Sequence, residues 1–224
     1  MLSLGPAGAA AVGTLLRASD DRFVVCLDQA RLIAKVYLEP RTFGRLIARL
    51  IGSRALRAAR KLELARRAGV PAPEPYAVYE SAMGSVLFMS LVPNARPLRD
   101  TFFSLDGGGR IRLLRAVAKL LRSLHDHRIY PSDFNDTNVL VTESGDPVLI
   151  DPEGLRRVLW VSTRRRVRNL ERLLRAFLGS NRVPAFTRLR FVAEYTRAKG
   201  TRQLVARIAR RFETKRAQYA LRDP

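Results

Sequence analysis

One spacing constrains this chain more than any other. Asp133 is followed five residues later by Asn138, and a second carboxylate, Asp151, stands 18 residues after Asp133. Between Asn138 and Asp151 lie two short apolar runs, residues 139–141 and 148–150, joined by Glu143-Ser144-Gly145-Asp146. Val and Ile favour strands, whereas Ser, Gly and Asp favour tight turns, so the segment predicts a very small hairpin. Its two ends would carry an amide and two carboxylates to one place. With 11 Asp and 5 Asn among 224 residues, this spacing is expected about 0.01 times by accident.

Such a set has a recognisable chemistry. Transfer of a phosphoryl group from ATP needs a carboxylate to orient the attacking hydroxyl and take its proton. It also needs oxygen ligands for magnesium and a cation against the α/β-phosphates. Asp133 suits the first role, and Asn138 and Asp151 suit the second. The cation is assigned to Lys35, in the strand-like run Leu32-Ile33-Ala34-Lys35-Val36-Tyr37. Only 5 of the 41 basic residues are lysine, so a lysine on an apolar strand is informative here. Glu63 is the acidic residue on the following predicted helix. It shares a face with Leu56 and Ala59 and is the candidate partner of Lys35. The plainer alternatives are a solvated loop around Asp133, an edge-strand Lys35 facing water, and a Glu63 paired with neighbouring arginines.

The rest of the chain orders itself around that hairpin. Residues 22–38 read as two strands about the turn Asp28-Gln29-Ala30, followed by a helical region over about 41–68 with Ser53 as an N-cap and Gly69 as a stop. Gly69-Val70-Pro71-Ala72-Pro73-Glu74-Pro75 is a stiff extended loop. Strands are expected at 76–79 and 86–91, and Pro93-Asn94 breaks the pattern. Beyond it the chain is mainly helical, with Gly107-Gly108-Gly109 as a flexible break, an amphipathic helix over 111–124, and basic amphipathic helices over 167–178 and 204–220. The class is α+β, with a strand-rich lobe over 1–92 and a helical lobe over 93–224.

The net charge of +21 points to anionic partners. From Leu155 onward there are 20 basic and 4 acidic residues, so most of the excess lies in the last third. No run approaches the roughly 18 apolar residues of a membrane span. The N-terminal MLSLGPAGAAAVG lacks the basic start of a signal peptide and is broken by Gly and Pro, so a cytoplasmic protein is expected. Cys26 lies in an apolar run and reads as a core residue rather than a reactive thiol. His125 and His127 do not form a metal cluster.

The residues Tyr130-Pro131-Ser132-Asp133-Phe134-Asn135-Asp136-Thr137-Asn138-Val139-Leu140-Val141, followed by Leu149-Ile150-Asp151, resemble the lipopolysaccharide kinases. These are bacterial enzymes of protein-kinase-like fold that phosphorylate Kdo or heptose in the lipopolysaccharide inner core. The proline-rich loop at 69–75, Leu124-His125, and Asn169-Leu170-Glu171-Arg172-Leu173 are similar to further segments of that family. The resemblance implies a bilobal protein-kinase-like fold with a small antiparallel-sheet N-lobe. It implies Asp133 as base, Asn138 and Asp151 as magnesium ligands, and Lys35 on the ATP phosphates. Asn135 stands where protein kinases usually carry a lysine, which looks more like a small-molecule or sugar kinase. The sequence departs from the pattern at Pro131, where kinases have His, and at Pro152 after the magnesium Asp. The family's helix glutamate is expected nearer Ala58 than Glu63, and no clean glycine-rich loop precedes the hairpin.

The leading expectation is therefore a kinase using ATP and Mg2+ on a sugar hydroxyl of an anionic glycolipid, peripheral on the inner face of the cytoplasmic membrane. A catalytically weak, kinase-like protein with a binding or regulatory role is the alternative, motivated by the departures. A nucleic-acid-binding basic module is the third reading. Charge alone supports it, and aromatic platforms are sparse in the basic helices.

Overall fold

The computed structural model describes residues 12–38, 51–178 and 185–196. The chain divides into two compact units, Met1–Asn94 and Ala95–Pro224. The helix expected over 204–220, the part of the 41–68 helix before residue 51, and the N-terminal Gly5 and Gly8 lie outside the described residues.

The first unit is a five-stranded antiparallel sheet with one helix. Its strands are β1 (Thr14–Ser19), β2 (Arg22–Leu27), β3 (Leu32–Leu38), β4 (Pro75–Ser81) and β5 (Gly84–Ser90). Their order is β1-β2-β3-β5-β4, so β3 is central, paired with β2 on one side and β5 on the other. Phe23, Val25, Ala34, Val36 and Val86 form the apolar core of the sheet. Alternation puts Ile33, Lys35 and Tyr37 on the opposite side of β3 from Ala34 and Val36, and all five are buried. Cys26 is buried too, and loss of hydration together with the neighbouring Asp28 carboxylate raises its thiol to about 11, which leaves it inert.

Helix α1 (Arg54–Arg67) starts at Ser53, whose hydroxyl accepts the Leu56 N–H at 3.2 Å. It ends before Gly69, which takes the left-handed φ of +68°. Its buried residues are Ala55, Ala58, Leu62 and Ala65, so small side chains let the helix lie close to the sheet.

The second unit contains β6 (Arg96–Pro97), α2 (Leu98–Ser104), α3 (Gly107–Asp126), β7 (Ile129–Pro131), β8 (Val139–Val141), β9 (Pro147–Leu149), β10 (Leu155–Arg157), α4 (Thr163–Leu178) and α5 (Ala185–Thr196). Helix α3 buries Leu113, Leu114, Val117, Leu120, Leu121 and Leu124 along one face, and α5 packs against it. No helix among the described residues is long and apolar enough to cross a membrane.

Several elements differ from the sequence reading. The glycine triplet at 107–109 is not a break but the first turn of α3. Asp106 caps it by accepting the Gly109 N–H, and glycine costs least where the helix end is held by a cap. Strand β1 was not anticipated. It is a largely exposed edge strand, and without a buried face it leaves no hydrophobic alternation to read. β6, β7 and β10 are two or three residues long, too short to carry a periodic signal.

Gly84 shows how tightly the sheet is built. Its φ is +150°, and a Cβ there would stand 2.1 Å from the Tyr37 carbonyl oxygen. Gly84→Ala is expected to cost at least about 2 kcal/mol through backbone strain and this clash. Thermal melting would show it as a clear fall in midpoint, and an unchanged midpoint would contradict the account.

Candidate active site

The predicted hairpin forms with a three-pair ladder, Val139 opposite Leu149, Leu140 opposite Val148 and Val141 opposite Pro147. One step beyond the ladder, the Ile150 N–H donates to the Asn138 carbonyl at 3.0 Å. That bond carries the pairing to Asn138 at the open end of the hairpin, and Asp151 is the next residue after Ile150.

The loop before it is organised by Asn135 and Asn138. Asn135 caps a single 3-10 turn, Asp136–Asn138, with its Oδ1 accepting the Asn138 N–H at 3.1 Å and the Thr137 hydroxyl at 2.8 Å. Its Nδ2 reaches Asp133 Oδ1 at 3.4 Å. Asn138 Nδ2 donates to the Asp133 carbonyl at 2.9 Å, and the residue is buried. This bond orients the amide, because the carbonyl can only accept and so claims the NH2 end.

Asp151 is tied from the other direction. Its Oδ1 accepts the Glu153 N–H at 3.2 Å, and the Leu155 N–H closes a turn onto the Pro152 carbonyl at 2.9 Å. The turn returns the chain to Asp133. Ser132 donates both its N–H and its hydroxyl to the Gly154 carbonyl, each at 2.8 Å. A Cβ on Gly154 would lie 3.0 Å from the Asp133 nitrogen and 3.2 Å from its Cβ, so this close approach favours glycine. Asp133, Asn135, Asn138 and Asp151 are thus brought together within one unit.

The other two predicted residues belong to the first unit. Lys35 lies on the central strand, 6% exposed, with its Nζ 5.6 Å from the Tyr37 ring centroid. It is not an edge-strand lysine facing water. Glu63 pairs with Arg67 on its own helix at 2.9 Å and is half-exposed. The face of α1 that packs inward carries Ala58 and Leu62, one position away from the face assigned to Glu63 in the sequence. The turn between β1 and β2 is Asp20-Asp21, without glycine, and Asp21 pairs with Arg54 at 2.8 Å.

One residue was not singled out in the sequence. Arg172, on α4, places its Nη1 3.6 Å from Asp133 Oδ1, with the two side chains 38% and 62% exposed. It puts a guanidinium beside the carboxylate on a loop where Asn135 replaces the usual lysine. Its position in Asn169-Leu170-Glu171-Arg172 was visible, but only the fold brings residue 172 back to residue 133.

A buried hydrogen-bond chain holds the root of the loop. Asn169 Nδ2 donates to the Pro131 carbonyl, two residues before Asp133. Asn169 Oδ1 lies 3.0 Å from His125 Nε2, so that nitrogen carries the proton. The Tyr195 hydroxyl bonds His125 Nδ1 and in turn accepts from Arg166 Nη1 at 3.0 Å. Every donor and acceptor agrees with a neutral imidazole. Burial is the main reason the imidazole is held down at about 3. The Asn169 hydrogen bond opposes the shift, and the Arg166 charge adds to it.

The oxygen donors at the hairpin's end fit a hard cation. The bond from Asn138 Nδ2 leaves the amide oxygen, which accepts the Thr137 hydroxyl at 3.4 Å, as the ligand atom, and Asp151 adds a carboxylate.

The model of the lipopolysaccharide kinase (Kdo/WaaP) family matches residues 43–210, well over half of the 224-residue chain. No curated protein matches the sequence. Among solved structures, a co-crystal of WbdD with the kinase inhibitor LY294002 is similar, with TM-score 0.58 and 18% identity over 88% of this chain and 44% of that one. A second WbdD structure gives TM-score 0.54 and 18% identity over 89% and 50%. A third, described as a bifunctional kinase-methyltransferase, gives 0.55 and 17% over 85% and 47%. The chain spans about half the length of these structures, and at this identity they establish the fold, a mixed α/β kinase fold. The chain belongs to the lipopolysaccharide kinase (Kdo/WaaP) family.

The His125 chain sets an acid limit on stability. The folded-state value of about 3 lies below the ordinary 6.5, so as pH falls the unfolded chain takes up this proton first. The stabilisation is complete above about pH 6.5 and is lost progressively toward pH 3. Melting temperature measured from pH 8 to 4 should fall below 6.5, and His125→Gln should melt lower at pH 8 but with a shallower acid slope. Equal slopes would contradict this assignment.

Proposed function

We propose that this member of the lipopolysaccharide kinase family transfers the γ-phosphoryl group of ATP to a sugar hydroxyl, Kdo or heptose, of the lipopolysaccharide inner core. The observation that carries the proposal is the convergence of Asp133, Asn138 and Asp151 around one rigid hairpin, beside a loop organised by Asn135. Asp133 orients the acceptor hydroxyl and takes its proton, and Asn135 steadies the carboxylate from Nδ2. Asn138 and Asp151 hold magnesium, which when bound offsets the charge on the ATP phosphates. Lys35, buried on the central strand β3, is the candidate cation for the α/β-phosphates. Glu63 has no role in this reading, because it is engaged by Arg67.

Arg172 bears on the acceptor. Its contact with Asp133 is a long one at 3.6 Å, and the planar guanidinium fork suits a carboxylate or phosphate beside the reacting hydroxyl. Inner-core sugars carry such groups. The reading puts the enzyme at the inner face of the cytoplasmic membrane, where ATP meets the glycolipid.

A second reading, a kinase-fold protein that binds without turnover, is favoured by the acidic Asp20-Asp21 turn and by the commitment of Glu63 to Arg67. Magnesium-dependent transfer of labelled phosphate to purified lipopolysaccharide separates the two. Asp133→Ala should lower it by about a thousandfold while leaving the thermal shift with ATP and magnesium intact. No transfer to any lipopolysaccharide or sugar by the wild-type protein, with ATP bound normally, would sink the kinase reading.

Arg172→Ala should raise the acceptor KM about tenfold and change kcat less, and Arg172→Lys should recover only part of it. Equal KM values for all three proteins would remove Arg172 from acceptor recognition.

A further inference from the structure

The loop between β10 and α4 carries the most exposed large apolar pair among the described residues. Leu159 is 80% exposed and Trp160 68%. The loop is nevertheless fixed at both roots. The Val158 N–H donates to the Arg128 carbonyl at 2.9 Å. Val161 is buried, and its carbonyl accepts from Arg166 Nε at 3.2 Å. The Ser162 hydroxyl accepts the Arg165 N–H at 3.4 Å. The two side chains therefore project from a held loop, and water does not solvate an indole beside an isobutyl group well.

The surroundings are basic. Arg128, Arg156, Arg157, Arg164 and Arg165 are exposed around the tip, and Arg165 lies over the Tyr130 ring at 5.3 Å. Residues 155–168 contain no acid. An indole with an aliphatic neighbour, ringed by arginines, matches the boundary of an anionic bilayer. Aromatic rings settle at the headgroup level there, and guanidinium groups meet lipid phosphates. Single-stranded nucleic acid would also attract the charge, but it is gripped by successive aromatic platforms, and the tip offers one ring beside a leucine.

We propose that Leu159 and Trp160 form an interfacial anchor that enters an anionic lipid surface, with the flanking arginines on the lipid phosphates. The loop is well placed for a glycolipid acceptor. Gly154, packed on Asp133, directly precedes β10, and β10 pairs with β7, which runs into the Asp133 loop. Only this last point rests on the proposed kinase function, and lipid binding can be read without it.

The chain has a single tryptophan, so its fluorescence reports on the tip alone. The full chain should show a blue-shifted emission with phosphatidylglycerol vesicles and little change with phosphatidylcholine. In co-sedimentation, Trp160→Ala and Leu159→Asp should each weaken vesicle binding about tenfold, as expected when one apolar side chain leaves an interface. Both variants should keep transfer to a soluble, deacylated acceptor. Vesicle binding with unshifted emission and unaffected variants would assign binding to the basic surface and overturn the anchor. Absence of vesicle binding, or an emission shift with short RNA but not with lipid, would overturn it too. Failure of the wild-type protein to phosphorylate a soluble acceptor would count against the kinase reading and leave the lipid result standing.

Discussion

The second unit depends on one buried polar chain running from Arg166 through Tyr195, His125 and Asn169 to the Pro131 carbonyl. Each link donates in the same sense, so the chain has a direction. It ties α3, α4 and α5 to the residue that opens the Asp133 loop. Apolar packing alone would fix these helices only to within the tolerance of a hydrophobic core, whereas a satisfied polar network selects one arrangement. The cost of burying such groups is met because every partner is present, and the loop receives a fixed root.

The hairpin supplies the second constraint. Its ladder is only three pairs long, and β6 flanks it through Arg96 opposite Val141 and Pro97 opposite Leu140, so the segment that carries Asn138 is held on both sides. The two prolines that depart from the expected pattern fit their places. Pro131 contributes a carbonyl to Asn169, a role that needs no N–H. Pro152 is buried and opens the turn that Leu155 closes, the turn that lays Gly154 on Asp133.

What was legible in the sequence follows from range. Asp133, Asn138 and Asp151 were readable because a turn and two apolar runs link them locally, and local signals survive in one dimension. Ser53 and Gly69 marked the ends of α1 for the same reason. Lys35 could be placed on a strand, but its position at the centre of the sheet comes from the pairing of β3 with β2 and β5. For Glu63 the sequence left two readings open, and the structure shows the pairing with Arg67, while the buried positions of α1 fall one residue away at Ala58 and Leu62. Arg172 lay out of reach because its meeting with Asp133 spans 39 residues and depends on the fold.

The far end of the hairpin is a local turn. Thr142 and Asp146 close it on themselves, with the Thr142 N–H on the Asp146 carbonyl at 3.0 Å and Gly145 at φ +87°. Glu143, Ser144, Gly145 and Asp146 are exposed. This turn can therefore vary in length among descendants of the same gene, or carry an inserted tag, while the ladder insulates Asn138 and Asp151 from the change.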